Sequence, residues 1–211
     1  MTRLAVFDLD GTLVDTAPDL AAALNRQMTA RGLAEIPLPK VTRMIGDGAR
    51  VLLERGFAFH DRPFEEAALE AFLEDPDLEG GALTTVFAGI PELLAHLQAE
   101  GWRMAVCTNK PEKAARGLLA NLGVDHYFRA IGGGDSFPTR KPDPAHLLHT
   151  MGAAGGGRAV MIGDHMNDML AARGAGIPAI FVTYGYGPVE MAGGNPTAAS
   201  TEAVTEMLAA F

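Results

Sequence analysis

Cysteine is nearly missing from this chain. Cys107 stands alone in 211 residues, which excludes an internal disulfide framework and suits a reducing compartment. It lies in the apolar run Met104-Ala105-Val106-Cys107, where a buried, inert thiol is expected. Basic residues are also in deficit. Lys and Arg number 17 against 26 Asp and Glu, a formal charge of −9, and this balance argues against a nucleic-acid partner. No uncharged stretch reaches the roughly 20 residues of a membrane span. The first apolar run, Leu4-Ala5-Val6-Phe7, is short and ends in charges, unlike a secretory leader. A soluble cytoplasmic protein with no membrane or nucleic-acid partner is expected, as monomer or homodimer. His60, His96, His126, His146 and His149 fall in no metal-ligand spacing. The glycine pairs form no dinucleotide fingerprint, and there is no P-loop.

What remains is an ordinary globular composition, 48% hydrophobic and 20% charged, enough for a substantial core. The length fits one large domain or a core with a small insert. After the first apolar run, Thr16 with Pro18 reads as a helix start, and helical spacing recurs over 39–44, 49–55 and 64–75. From Glu65 to Glu79 there are seven acids and no base. Phe64, Ala68, Leu69, Phe72 and Leu73 fall between these acids at helical intervals, which predicts a solvated helix face rather than a cation site. Beyond Gly80-Gly81 strands and helices alternate. Strands are expected at 102–107, 128–132, 159–162 and 179–182, and helices at 90–99, 112–122, 144–151, 168–173 and 201–210. Such alternation predicts an α/β fold, a Rossmann-like parallel sheet with helices on both faces. Residues 1–14 and 83–211 would form that core, and 15–82 an inserted, all-helical cap domain.

Three strands end in polar clusters: Asp8-Leu9-Asp10-Gly11-Thr12, Thr108-Asn109-Lys110, and Gly163-Asp164 followed by Asn167-Asp168. Open parallel sheets bind ligands at the carboxyl ends of their strands, so the three clusters should converge. Lys141-Pro142-Asp143-Pro144 adds a stiff loop, in which Pro142 favours an extended Lys141. A carboxylate can attack phosphorus and form an aspartyl-phosphate, provided a cation offsets the repulsion between the two anions. Asp8 and Asp164 make an oxygen site suited to Mg²⁺. Thr108 and Asn109 offer donors to a phosphoryl group, Lys141 adds a positive charge, and Asp10 is placed as general acid and base.

These four segments, in this order and with a helical insert after the first, resemble the motifs of the haloacid dehalogenase superfamily. The stretches 45–52, 106–111, 132–144 and 182–187 are further similar to its phosphoglycolate-hydrolysing phosphatases. The resemblance implies Asp8 as nucleophile and Asp10 as acid/base. It implies Mg²⁺ held by Asp8, the Asp10 carbonyl and Asp164. Phosphate would be held by Thr108, Asn109 and Lys141, with Asp168 orienting Lys141 or a metal-bound water and Thr12 in support. The expected substrate is a small phosphorylated molecule, 2-phosphoglycolate. Its carboxylate calls for a basic cap residue, and Arg43 and Arg50, flanking Ile45-Gly46-Asp47-Gly48, are the candidates. Two departures stand out: His165 replaces the serine usual after Asp164, and 84–89 lacks the usual proline before Gly89. The same edge would serve another sugar phosphatase, a mutase or a pyrophosphatase. Asp10 argues against dehalogenation, and the helical insert argues against a phospho-acceptor switch.

Overall fold

The structure is a computed structural model and describes residues 2–211. Strand β1 (Arg3–Phe7) leads to a two-residue strand, β2 (Val14–Asp15), and then to four helices. These are α1 (Ala17–Thr29), α2 (Leu38–Thr42), α3 (Ala49–Phe59) and α4 (Glu66–Leu73), followed by a 3-10 turn at Pro76–Glu79. The chain returns through β3 (Thr85–Val86), which pairs antiparallel with β2, Asp15 opposite Thr85. Then come α5 (Ile90–Ala99), β4 (Arg103–Cys107), α6 (Glu112–Asn121), β5 (Ala130–Gly132) and α7 (Pro144–Ala153). The chain finishes with β6 (Arg158–Gly163), α8 (Met166–Ala175), β7 (Ala179–Val182), β8 (Thr197–Ala198) and α9 (Thr201–Ala209). The order β5-β4-β1-β6-β7-β8 makes one sheet, parallel at every pairing. This is the α/β architecture expected from the alternation of patterns.

The strands are buried on both faces, which is why they read as continuous apolar runs. Alternate residues serve different layers. Phe7, Val106, Ile162 and Val182 pack with Leu94, Leu118 and Val204 of α5, α6 and α9. Val6, Cys107, Met161 and Phe181 pack with Leu147, Met169 and Ala172 of α7 and α8. The inserted helices close a third apolar cluster of their own around Leu24, Leu53, Phe57 and Phe72. Among the described residues, Ala114 of α6 is the one buried member of that cluster from outside the insert. The acidic side of α4 faces solvent, as its spacing predicts.

Boundaries moved where local chemistry overrode the pattern. Helix α8 starts at Met166 rather than 168, because His165 caps it. The His165 Nδ1 accepts from the Asn167 N–H at 3.3 Å, and the His165 N–H donates to Asp168 Oδ2 at 3.0 Å. That reciprocal cap is the function a serine would have here, so the departure at this position preserves the helix start. Thr16 does occupy the N-cap of α1, but its side chain makes no cap bond. Instead the Tyr186 hydroxyl accepts from the N–H groups of Thr16 and Ala17, at 2.7 and 2.9 Å. It also donates to Asp15 at 2.8 Å. Gly176 ends α8 in the left-handed conformation, as the Gly174-Ala175-Gly176 sequence suggests.

Candidate active site

Because β1, β4 and β6 are parallel neighbours, their carboxyl ends emerge side by side. The ladder continues one residue past the strands: the Asp8 N–H donates to the Ile162 carbonyl and the Thr108 N–H to that of Gly132, both at 2.9 Å. Asp8, Thr108 and Asp164 therefore meet at one edge, all buried. Lys141 reaches it from the loop before α7. Its Nζ lies 2.8 Å from Asp8 Oδ1 and 2.6 Å from Asp168 Oδ1. The Lys141 side chain is itself only 1% exposed.

Burial and crowding raise the cost of charge here. Asp8 is pushed up from 3.8 to about 6 by burial and the nearby Asp168, against the pull of Lys141. Asp164 is pushed up to about 8 by burial, Asp8 and Asp168. Burial would lower the Lys141 ammonium, but Asp168 and Asp8 hold it above the ordinary lysine value. The cluster thus carries more carboxylate than one lysine neutralises.

Ligand oxygens of Asp8, Asp164 and Asp168 lie within 4.8 Å of one another. They are not equally free. Asp168 spends one oxygen on Lys141 and the other on the His165 N–H. Asp164 accepts from the Thr12 hydroxyl at 2.9 Å and the Tyr186 N–H at 2.8 Å, which orients it and leaves further lone pairs. Asp8 Oδ2 has no hydrogen-bond partner among the described residues. Two buried carboxylates with spare oxygen capacity and too little positive charge fit a hard divalent cation.

The remaining expected residues divide. Asp10 faces the opening above the cluster, where its Oδ1 accepts from the Thr16 hydroxyl at 2.7 Å. Thr108 lines the same space, and its hydroxyl oxygen accepts from the Lys110 N–H at 3.2 Å. Asn109 differs from expectation. Its side-chain amide is already committed to the carbonyls of Gly46 and Lys141, at 3.1 and 3.0 Å, so it has no amide donor to spare for a phosphoryl group. The backbone N–H groups of Asn109 and Asp10 do have that freedom, since neither meets an acceptor among the described residues.

Arg43 and Arg50 are not brought to the cleft. Arg43 is exposed at the end of α2. Arg50 pairs with Glu66 and lies over the Phe64 ring. The spacing around Ile45-Gly46-Asp47-Gly48 placed them near the cleft in sequence, but helix α3 turns the Arg50 side chain outward. The cleft lies between the strand tips and the insert, lined by Leu20, Ile45, Leu52 and Phe72 above Asp8, Asp10 and Thr108. Lys110 also lines it. The sequence groups this residue with Thr108 and Asn109 yet gives it no role of its own.

Gly46 and Asp47 hold the insert against the core. Asn167 Nδ2 donates to Asp47 Oδ1 at 2.7 Å and to the Gly46 carbonyl at 3.3 Å. Gly46 has φ +123°, and a Cβ on it would come within 2.6 Å of the His165 ring. Burial would raise Asp47, but bonds from Asn167 and Arg55 hold it below the usual carboxylate value.

Comparison with known proteins finds relatives over most of the chain. The chain is 45% identical over 197 residues to the phosphoglycolate phosphatase of Agrobacterium fabrum, covering 90% of this chain and 84% of that one. It is 44% identical to phosphoglycolate phosphatase 1 of Pseudomonas aeruginosa, over 88% and 71% of the two chains. A crystal structure described as a predicted phosphoglycolate phosphatase from Haemophilus somnus superposes with a TM-score of 0.85 at 29% identity, over 98% of each chain. The model of the haloacid dehalogenase-like hydrolases spans residues 5–182, from β1 through β7 and so across every strand tip that supplies the cluster; the chain belongs to that family.

Proposed function

We propose that this protein is a Mg²⁺-dependent phosphatase that converts 2-phosphoglycolate to glycolate and phosphate through an aspartyl-phosphate on Asp8. The observation that carries the reaction is Asp8 itself, buried with one oxygen held by Lys141 and the other free. The substrate rests on the relatives named phosphoglycolate phosphatase at 40–45% identity.

Asp8 Oδ2 attacks phosphorus, and the P–O bond to the glycolate oxygen breaks. Asp10 protonates the departing alkoxide. The Thr16 hydroxyl holds the Asp10 carboxyl towards the cleft for this step. Asp10 then takes a proton from water, which attacks the phosphorus of the acyl phosphate and returns Asp8 as a carboxylate. Lys141, the Thr108 hydroxyl and the N–H groups of Asp10 and Asn109 would hold the phosphoryl oxygens, where developing charge makes preorganised donors most effective. Asp168 fixes the Lys141 ammonium at 2.6 Å. Asp8, Asp164 and the Asp10 carbonyl would hold Mg²⁺, which supplies positive charge to the phosphoryl oxygens. Residues 15–82 would act as a cap domain that shields the reaction from bulk water.

The test is phosphate release from a panel of phosphomonoesters and pyrophosphate, with Mg²⁺ and with chelator. Metal-dependent preference for 2-phosphoglycolate is expected. Activity spread over sugar phosphates, or confined to pyrophosphate, keeps the chemistry and overturns the substrate. Stable labelling of Asp8 without turnover overturns the enzyme in favour of a phospho-acceptor.

A further inference from the structure

The cleft above Asp8 is an apolar chamber with one basic side chain in its wall, Lys110. The Lys110 side chain is only 4% exposed, and its closest anionic group is Asp10 Oδ1 at 3.5 Å. That is a long contact for a buried ammonium, whose three donors normally find near partners. No carboxylate of the insert reaches it among the described residues. Lys141, by contrast, has two carboxylate partners, Asp8 and Asp168, at under 3 Å. A desolvated cation with one weak partner is costly unless an anion completes its shell. Asp8, the other carboxylate of the wall, is paired with Lys141, and the insert's Leu20, Ile45, Leu52 and Phe72 cannot supply an anion.

We infer that Lys110 is the specificity residue of this site: it binds the carboxylate at the non-transferred end of the substrate. The inference rests on the substrate proposed above and moves recognition from the insert's arginines to the tip of β4. The fit follows from the chain path. Asp8 and Thr108 lie at neighbouring strand ends, and Lys110 is two residues beyond Thr108, with its N–H turned back onto the Thr108 hydroxyl. A phosphoryl group on Asp8 and Thr108 would leave a two-carbon acid within reach of the lysine. The apolar wall then sets a limit on length, because a longer chain would meet Phe72 and Leu52. Lys110 also touches Asp10, so a rival role is to position the acid/base. The two roles separate by substrate: an effect through Asp10 reaches every ester equally, whereas carboxylate recognition reaches only the acid.

The experiment compares 2-phosphoglycolate with 2-hydroxyethyl phosphate, in which a CH2OH replaces the carboxylate. Both are assayed with Mg²⁺ on wild type, Lys110→Gln and Lys110→Arg, with Lys110→Met replacing the Gln variant if that variant melts below the assay temperature. Removing one member of a desolvated charge pair is expected to lower kcat/KM for 2-phosphoglycolate by about 100-fold, mostly in KM. The loss should be at least about tenfold smaller on 2-hydroxyethyl phosphate, and Lys110→Arg should restore part of the preference. Equal losses on both esters, or a loss confined to kcat, would overturn the assignment while a wild type that still prefers 2-phosphoglycolate keeps the substrate reading intact. A wild type with no preference for the acid overturns the substrate reading, and Lys110 recognition with it.

Discussion

Gly11 has φ +85°, and a Cβ there would sit 2.3 Å from Asp164 Oδ2. Both facts demand glycine: the backbone enters the left-handed region, and the space is already filled by a carboxylate. Gly11→Ala should lower kcat at least tenfold by displacing Asp164, and reduce stability by roughly 1–3 kcal/mol. Phosphate release and urea unfolding measure the two effects. His146 is buried against Cys107, and its Nε2 lies 2.9 Å from the Gly133 carbonyl. Burial and the nearby Lys141 push it down from 6.5 to about 4. A histidine depressed in this way stabilises the fold as a neutral ring, and that contribution is lost as pH falls from 6.5 towards 4. His146→Gln should therefore be destabilised at pH 7, with the gap to wild type in urea midpoint closing by pH 4.5. A constant gap would show that the ring's protonation is not linked to folding. At this scale the sequence was most informative where a functional side chain follows directly on a buried strand: Asp8, Thr108 and Asp164 needed only the parallel-sheet rule to be brought together. Tyr186 was unreadable because the groups it caps lie 170 and 169 residues away. The commitment of the Asn109 amide to Gly46 was equally hidden, since it depends on how the insert lands on the core.

Elements were legible in proportion to their length. Helix α5 and strand β7 match their patterns to the residue, because each has a full period of buried positions and clear breakers. The two-residue strands β2, β3 and β8 carry no period at all. Helix α3 outran its expected end at residue 55 and continues to Phe59, because Gly56 packs against Leu24 of α1 and tertiary contact overrides the weak helix propensity of glycine. The loop 45–48 acts as the insert's foot on the core, and Asn167 is its main anchor. Asn167→Ala removes two hydrogen bonds across that junction, each contributing about 1 kcal/mol net. KM for 2-phosphoglycolate should rise roughly fivefold to tenfold with a smaller change in kcat, read by steady-state kinetics. An unchanged KM would mean that the foot does not help to form the substrate chamber.

Across the whole molecule, the excess acid at the sheet edge ties stability to metal and pH. Burial and the crowding of like charges push Asp8 up from 3.8 to about 6 and Asp164 up to about 8. Carboxyls raised in this way favour the folded state while protonated, so their contribution is full below about 3.8 and is lost as pH rises through about 6 and 8. In chelator, the wild-type melting temperature should fall between pH 6 and pH 8.5 relative to Asp164→Asn. Added Mg²⁺ should raise it more at pH 8.5 than at pH 6, because the ligands are then already deprotonated. A Mg²⁺ shift independent of pH would argue that the ion binds elsewhere. No helix among the described residues is long and apolar enough to cross a membrane. The pairing of β2 with β3 has a consequence for descent. Asp15 and Thr85 are directly opposite one another, so the chain leaves the catalytic body and re-enters it at adjacent points about 5 Å apart. Loss, enlargement or exchange of the intervening segment would leave the sheet register untouched, and lineages built on this body could diversify by grafting new lids at one seam.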